Sequence, residues 1–179
     1  MVVCLGWGSL IWNPGTLLCS GDWHTDGPTV PVEYLRESRN GRITLVIDPC
    51  VPGQTVLWTR MSTADPATAR ESLRRREGDT LPTYIGCWSA GEPCPDVIPG
   101  LDAWAGLHAA DTVIWTGLPA RFRGVDFRCP TLPEAIDHLA GLPAEKRRVA
   151  EEYVRRTPVQ IRTPYRAAFE HTFGWTGLV

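Results

Sequence analysis

The chain has 179 residues, 43% hydrophobic and 21% charged, which suits one globular domain with its own core and excludes a disordered or fibrous chain. Its net charge is −2 at pH 7, so seventeen arginines beside a single lysine, Lys146, leave no basic surplus for nucleic acid and reflect composition instead. Met1 to Trp12 lacks a positively charged start and a small-residue cleavage site, and no run reaches the roughly 18 apolar residues of a spanning helix, so the chain reads as cytoplasmic with no membrane partner.

In a cytoplasmic chain the six cysteines, at 4, 19, 50, 87, 94 and 129, read as thiols. None forms a Cys-x-x-Cys pair, and histidines 24, 108, 138 and 171 are scattered, so no metal site is expected.

Met1 to Leu5 is a short apolar, β-branched run that reads as a buried strand. It ends in Gly6-Trp7-Gly8-Ser9-Leu10-Ile11-Trp12-Asn13-Pro14. Two glycines one residue apart permit positive φ and bare N–H groups, the parts of a small anion nest, with the Ser9 hydroxyl beside them. The plainer reading is a strand that ends in a glycine turn. A dinucleotide-binding loop is excluded, because Ile11 stands where the third glycine belongs.

Residues 15–31 carry no periodicity and read as an irregular excursion. Val30 to Ser38 and Ile43 to Ile47 read as strands joined at Asn40-Gly41, the signature of a type I′ hairpin turn with both central residues at positive φ. Thr55 to Met61 reads as the next strand, and Thr83 to Trp88 and Thr112 to Thr116 as two more. A helix is expected over Leu101 to His108. Thr131 with Glu134 three residues on begins another, stopped at Gly141; further helices run from Pro143 to about Arg156 and from Thr163-Pro164 to Gly174. The pattern gives a single α+β domain over residues 1–179, a small, mostly antiparallel curled sheet or barrel flanked by helices.

One helix ends on a residue out of place. Asp65-Pro66 is an N-cap followed by proline at the first helical position, and Gly78 is placed as its stop. Arginines 74, 75 and 76 suit the negative end of the helix dipole; Glu77 does not, at a cost of about 0.3–1 kcal/mol near a surface. Breaks in local consistency gather at functional sites. The dipole and partial burial favour the neutral acid of Glu77, as a general acid–base group requires, while the neighbouring arginines favour its anion. A solvated pair with Arg74 or Arg75 is the structural alternative.

The string Gly6-Trp7-Gly8-Ser9-Leu10-Ile11-Trp12-Asn13-Pro14 resembles the N-terminal Tyr-Gly-Ser-Leu loop of the γ-glutamylcyclotransferase-like superfamily, most closely its ChaC branch, with Trp7 in place of the family tyrosine. Glu77-Gly78 after a helix, with Tyr84 seven residues beyond, resembles the family's catalytic Glu-Gly pair and its following tyrosine, and residues 38–46 look like the hairpin of bacterial members. The resemblance spans about Met1 to Trp88; the ChaC branch's C-terminal tyrosine motif is not recognised.

The resemblance implies conversion of a γ-glutamyl amine or peptide, glutathione among them, to 5-oxoproline and a free amine, without cofactor. Glu77 would be the acid–base residue, the backbone amides of Trp7, Gly8, Ser9 and Leu10 would grip the substrate, and Tyr84 would wall the pocket. A non-catalytic small-molecule binding protein on the same fold, with Trp7 filling the site, is the main alternative, and a cysteine hydrolase built on Cys4 or Cys87 a third.

Overall fold

Every residue of the first strand, β1 (Val2–Gly6), is buried. A strand apolar on both faces belongs inside a covered sheet. In the computed structural model, which describes residues 1–177, β1 pairs antiparallel with β5 (Leu57–Arg60) on one side and parallel with β7 (Thr112–Thr116) on the other. Antiparallel β6 (Ile85–Ser89) completes a sheet of order β5-β1-β7-β6. Val3 and Leu5 face the main core, while Val2 and Cys4 face a second apolar cluster that includes Ala69 and Leu73 of helix α1 (Pro66–Arg76).

The second sheet is built on β2 (Thr29–Glu37), which pairs antiparallel with β3 (Ile43–Ile47) and with β4 (Gly53–Thr55), and parallel with β8 (Arg121–Phe122); β8 pairs with β9 (Val125–Asp126). The α+β class therefore holds. The sheets, however, are two, both mixed and neither closed, where one curled, mostly antiparallel sheet was expected. The parallel contacts join strands far apart in sequence, a relation that no local turn signal carries.

Three strand boundaries depart from expectation for local reasons. The expected strand over 55–61 divides at Val56, whose N–H donates to the Pro28 carbonyl (3.1 Å) and whose carbonyl accepts from Gly27 (3.1 Å), so β4 and β5 belong to different sheets. Pro82 opens a 3₁₀ turn over Pro82–Tyr84, which delays β6 to Ile85. At Asn40-Gly41 only Gly41 takes positive φ (83°): Gly41 donates to the Ser38 carbonyl (2.9 Å) and Ser38 to the Arg42 carbonyl (2.8 Å), a three-residue loop ending in a left-handed glycine. The two-residue turn with both φ positive occurs instead between β8 and β9, at Arg123 (50°) and Gly124 (78°), where no strands were expected.

The helices follow their caps. Asp65 accepts from Ala67 and Thr68 to start α1. Helix α2 spans Leu101–Leu107, and Thr131 and Glu134 form a capping box at α3 (Leu132–Ala140). Helix α4 covers Ala144–Arg156, and α5 covers Pro164–Phe173 between Thr163 and left-handed Gly174. Among the described residues no helix is long and apolar enough to cross a membrane.

Candidate functional site

The loop after β1 uses its glycines for closeness rather than for unusual φ. Neither Gly6 nor Gly8 has positive φ, contrary to the sequence reading. A Cβ on Gly6 would collide with the Trp23 ring and one on Gly8 with the Tyr153 hydroxyl, so both positions admit a packed aromatic against bare backbone. The loop then turns back through Ile11 N–H to the Gly8 carbonyl (3.0 Å) and Asn13 N–H to the Ser9 carbonyl (2.9 Å). Among the described residues the N–H groups of Trp7, Gly8, Ser9 and Leu10 find no protein acceptor. Trp7, Gly8 and Leu10 are buried and Ser9 half-buried, and unpaired backbone donors at such positions are rare, so the run is a candidate cradle for an anion or a carbonyl oxygen.

Helix α1 carries Glu77 to this loop as its C-cap residue. Its expected alternative partners are engaged elsewhere: Arg74 and Arg75 both bind Glu71, and Arg74 also binds Asp79. Arg76 takes Glu77 instead, donating from Nη1 to Oε1 at 2.8 Å, with the two side chains only 12% and 13% exposed. The same guanidinium donates to Ser9 Oγ (3.1 Å) and to the Asn13 carbonyl (2.9 Å), and Thr116 Oγ1 donates to Glu77 Oε1 (3.4 Å). Arg76 thus ties the helix end to the glycine loop. Among the described residues Glu77 Oε2 has no hydrogen-bond partner.

These residues enclose a pocket of about 160 Å³. Trp7, Gly8, Ser9, Leu10 and Glu77 all line it; Tyr84 does not. Tyr84 lines a wider outer vestibule of about 850 Å³ that shares Arg36, Arg42, Glu77 and Leu118 with the pocket, so it stands one step further from Glu77 than the sequence implied. Trp7 is 5% exposed, and its Nε1–H donates to the Leu45 carbonyl (3.3 Å), which docks the indole on β3 and leaves the pocket open.

Two pocket residues had not been singled out. Arg42, just after the β2–β3 turn, lays its guanidinium over the Tyr153 ring at 5.3 Å, and its buried Nε makes no hydrogen bond. Arg42 lies inside the hairpin segment of the family resemblance, which was the available signal. Tyr153 of α4 is 4% exposed and accepts the Leu45 N–H (3.2 Å) at its hydroxyl. Burial pushes its phenol up to about 12, so it keeps its proton at neutral pH and donates it to no protein group. Its signal was the apolar spacing of Ala150, Tyr153 and Val154 on one face of α4, which marks burial but not a role.

The pocket therefore offers an acceptor, Glu77, opposite unpaired donors from four amides, one arginine and one phenol. That set matches the ammonium and carboxylate of an amino-acid head group. Cys4 is fully buried with its thiol held far above the ordinary range by burial, and burial also raises half-buried Cys87. Both lack thiolate character. Among the described residues no group of three His, Cys, Asp or Glu side chains is arranged to hold a metal ion. No family model, curated protein or solved structure matches this chain.

Proposed function

We propose that the protein is a γ-glutamylcyclotransferase-like enzyme, on an open, two-sheet variant of that fold, which converts a γ-glutamyl amine or peptide to 5-oxoproline and a free amine. The observation that carries the reading is the meeting of Glu77, at the wrong end of its helix for a carboxylate, with four unpaired amides and the unpartnered Arg42 around one small pocket.

In this mechanism the substrate's α-ammonium binds Glu77 and its α-carboxylate binds Arg42 beside the loop amides. Glu77 takes a proton from the ammonium, and the freed amine attacks the γ-carbonyl of the same molecule. The O–H of Tyr153 and the remaining amides receive the developing oxyanion. Collapse breaks the bond to the leaving nitrogen as Glu77 returns that proton to it, and the second proton lost by the attacking nitrogen passes through Glu77 to the same amine, which departs as its ammonium; one C–N bond forms, one breaks, and no water is consumed. Because nucleophile and electrophile share a chain, holding the glutamyl unit curled supplies much of the acceleration. The pocket's small volume suits that task.

The competing reading, a binding protein blocked by Trp7, is less well supported, since the indole docks on Leu45 and the cavity stays open. The deciding experiment is 5-oxoproline release, by mass spectrometry, from glutathione, γ-glutamyl dipeptides and γ-glutamyl amines, with Glu77→Gln alongside. Release by wild type, reduced about 10²–10⁴-fold in the variant, is the expected result. A Glu77→Gln protein keeping more than about a tenth of the rate overturns the role of Glu77. A folded wild type that binds these compounds and releases no 5-oxoproline would establish the binding-protein reading.

A further inference from the structure

The pocket around Glu77 has about 160 Å³, below the roughly 300–1,000 Å³ that encloses a drug-sized ligand, so it takes the glutamyl end alone and the amine half must lie outside. Leu118 lines this pocket, the outer vestibule and a third cavity of about 460 Å³; Tyr84 lines the latter two. The third cavity thus adjoins the site along Leu118 and Tyr84, beside the vestibule. Its other walls are mostly apolar, among them Ile47, Trp115, Pro119 and Phe127. Trp115 lies flat against Gly86, where any Cβ would collide with the indole, so the strand has given up a side chain to seat this surface.

One wall of this cavity is an exposed aromatic, Phe127, 76% open to solvent. Phe127 also takes positive φ (62°), a conformation uncommon for an aromatic residue, and is held there by its N–H bond to the Ala120 carbonyl (2.8 Å). An exposed aromatic on the wall of a mostly apolar cavity beside a polar pocket marks a place where an apolar group can dock.

We propose that this groove receives the leaving amine, and that the substrate is a γ-glutamyl amide of an apolar amine, aryl-alkyl or branched alkyl, rather than of a charged amino acid. The proposal rests on the cyclotransferase reading. Its chemistry is unchanged: the apolar amine departs with the proton that Glu77 returns, into the groove lined by Leu118 and Phe127.

The test compares γ-glutamyl-phenethylamide with γ-glutamyl-ethylamide and γ-glutamyl-alanine; the first two leave as alkylamines of similar basicity and differ in apolar bulk. 5-Oxoproline release gives kcat and KM, and calorimetry on Glu77→Gln gives binding without turnover. We expect KM and Kd about tenfold lower for the phenethylamide than for the ethylamide, the order expected for burying part of a phenyl ring. Phe127→Asn, which tolerates the left-handed backbone, should narrow that ratio at least threefold. Equal KM values for the two amides, a preference for the alanine compound, or a ratio unmoved by Phe127→Asn would overturn the groove and leave the reaction standing. Tighter binding of the phenethylamide without any 5-oxoproline would support the groove and overturn the reaction. Neither binding nor release would overturn both.

Discussion

Glu33 and Glu77 are carboxylates at helix ends, and they sit at opposite poles. Glu33 of β2 is 1% exposed and lies at the N-terminus of α5, where it accepts from Thr163 Oγ1 (2.5 Å), Tyr34 N–H (2.8 Å) and Tyr165 N–H (3.3 Å). The positive end of the helix dipole and three neutral donors satisfy it, and it lines neither the Glu77 pocket, the vestibule nor the third cavity. Glu77 lies at the negative end of α1, needs the Arg76 cation to hold it, and faces a pocket with one oxygen unbound. The satisfied acid is a fastener between β2 and α5. The unsatisfied one is available for chemistry.

Crossing the two positions should separate these roles. Glu77→Gln should lower 5-oxoproline release by about 10²–10⁴-fold and cost about 1–3 kcal/mol of stability, since the ion pair is largely buried but the amide oxygen, Ser9 and Asn13 still accept from Arg76. Glu33→Gln turns an amide nitrogen toward Tyr165 N–H or Thr163, leaving donors facing donors. It should destabilise by about 1–3 kcal/mol, read as a lower denaturation midpoint, with kcat within about threefold of wild type in the folded fraction. If Glu33→Gln abolished turnover at unchanged stability, the division between fastener and reactive acid would fail.

Arg42 sharpens the contrast from the other side of the pocket. Among the described residues no arginine bonds Glu33, whereas the Glu77 pocket holds Arg42, whose guanidinium pairs with no carboxylate. Replacing it by methionine keeps a long stem over the Tyr153 ring and removes the charge. A charged hydrogen bond contributes about 1.5–3 kcal/mol, so Arg42→Met should raise KM for any γ-glutamyl substrate by roughly 10–100-fold and alter kcat far less. Arg42→Lys should recover only part of the loss, because the ammonium lacks the planar fork. An unchanged KM would remove Arg42 from the carboxylate's partners.

Tyr153 gives a smaller effect of a different kind. In the proposed reaction its O–H would act on an oxyanion that exists only along the reaction path, sharing that work with backbone amides. Tyr153→Phe should therefore lower kcat by about tenfold, less than the roughly 10²–10³ seen when a principal donor is lost, with KM nearly constant. It also strands the Leu45 N–H, at a cost of about 1 kcal/mol or more in stability. A loss of stability with full kcat would reduce Tyr153 to a packing residue.

The pattern of what the sequence disclosed follows from the range of its signals. Asp65, Thr131 and Thr163 announced their helices because a cap is a contact within three residues. Glu77 stood out because a carboxylate after three arginines conflicts with a local dipole. Arg42 and Tyr153, by contrast, acquire meaning only when a hairpin and a distant helix meet over Gly8, and nothing within a few residues of either encodes that meeting. The same limit hid the division at Val56: alternation along 55–61 is continuous, and only the Pro28 and Gly27 contacts show that the strand changes sheets there. Glu33 was invisible too, since two of its three donors lie more than a hundred residues away at Thr163 and Tyr165.

The gentlest test of the comparison is pH. Burial holds the Glu33 carboxyl above its ordinary value of 4.5 despite its three hydrogen bonds. Below 4.5 the acid is protonated in both folded and unfolded chains. As pH rises through and above 4.5, the unfolded chain releases its proton first while the folded chain still holds it, so the unfolded state binds fewer protons and stability falls. The contribution of Glu33 is thus complete at low pH and is lost as pH climbs through its folded value, by at most about 1.4 kcal/mol per pH unit. Glu33→Gln has no such proton. Denaturant midpoints of wild type and variant, measured from pH 4 to 7, should therefore converge or cross as pH rises. A gap that widens with pH would show that the α5 dipole and the Tyr34 and Tyr165 amides outweigh burial, and that Glu33 is held as an anion by neutral donors alone.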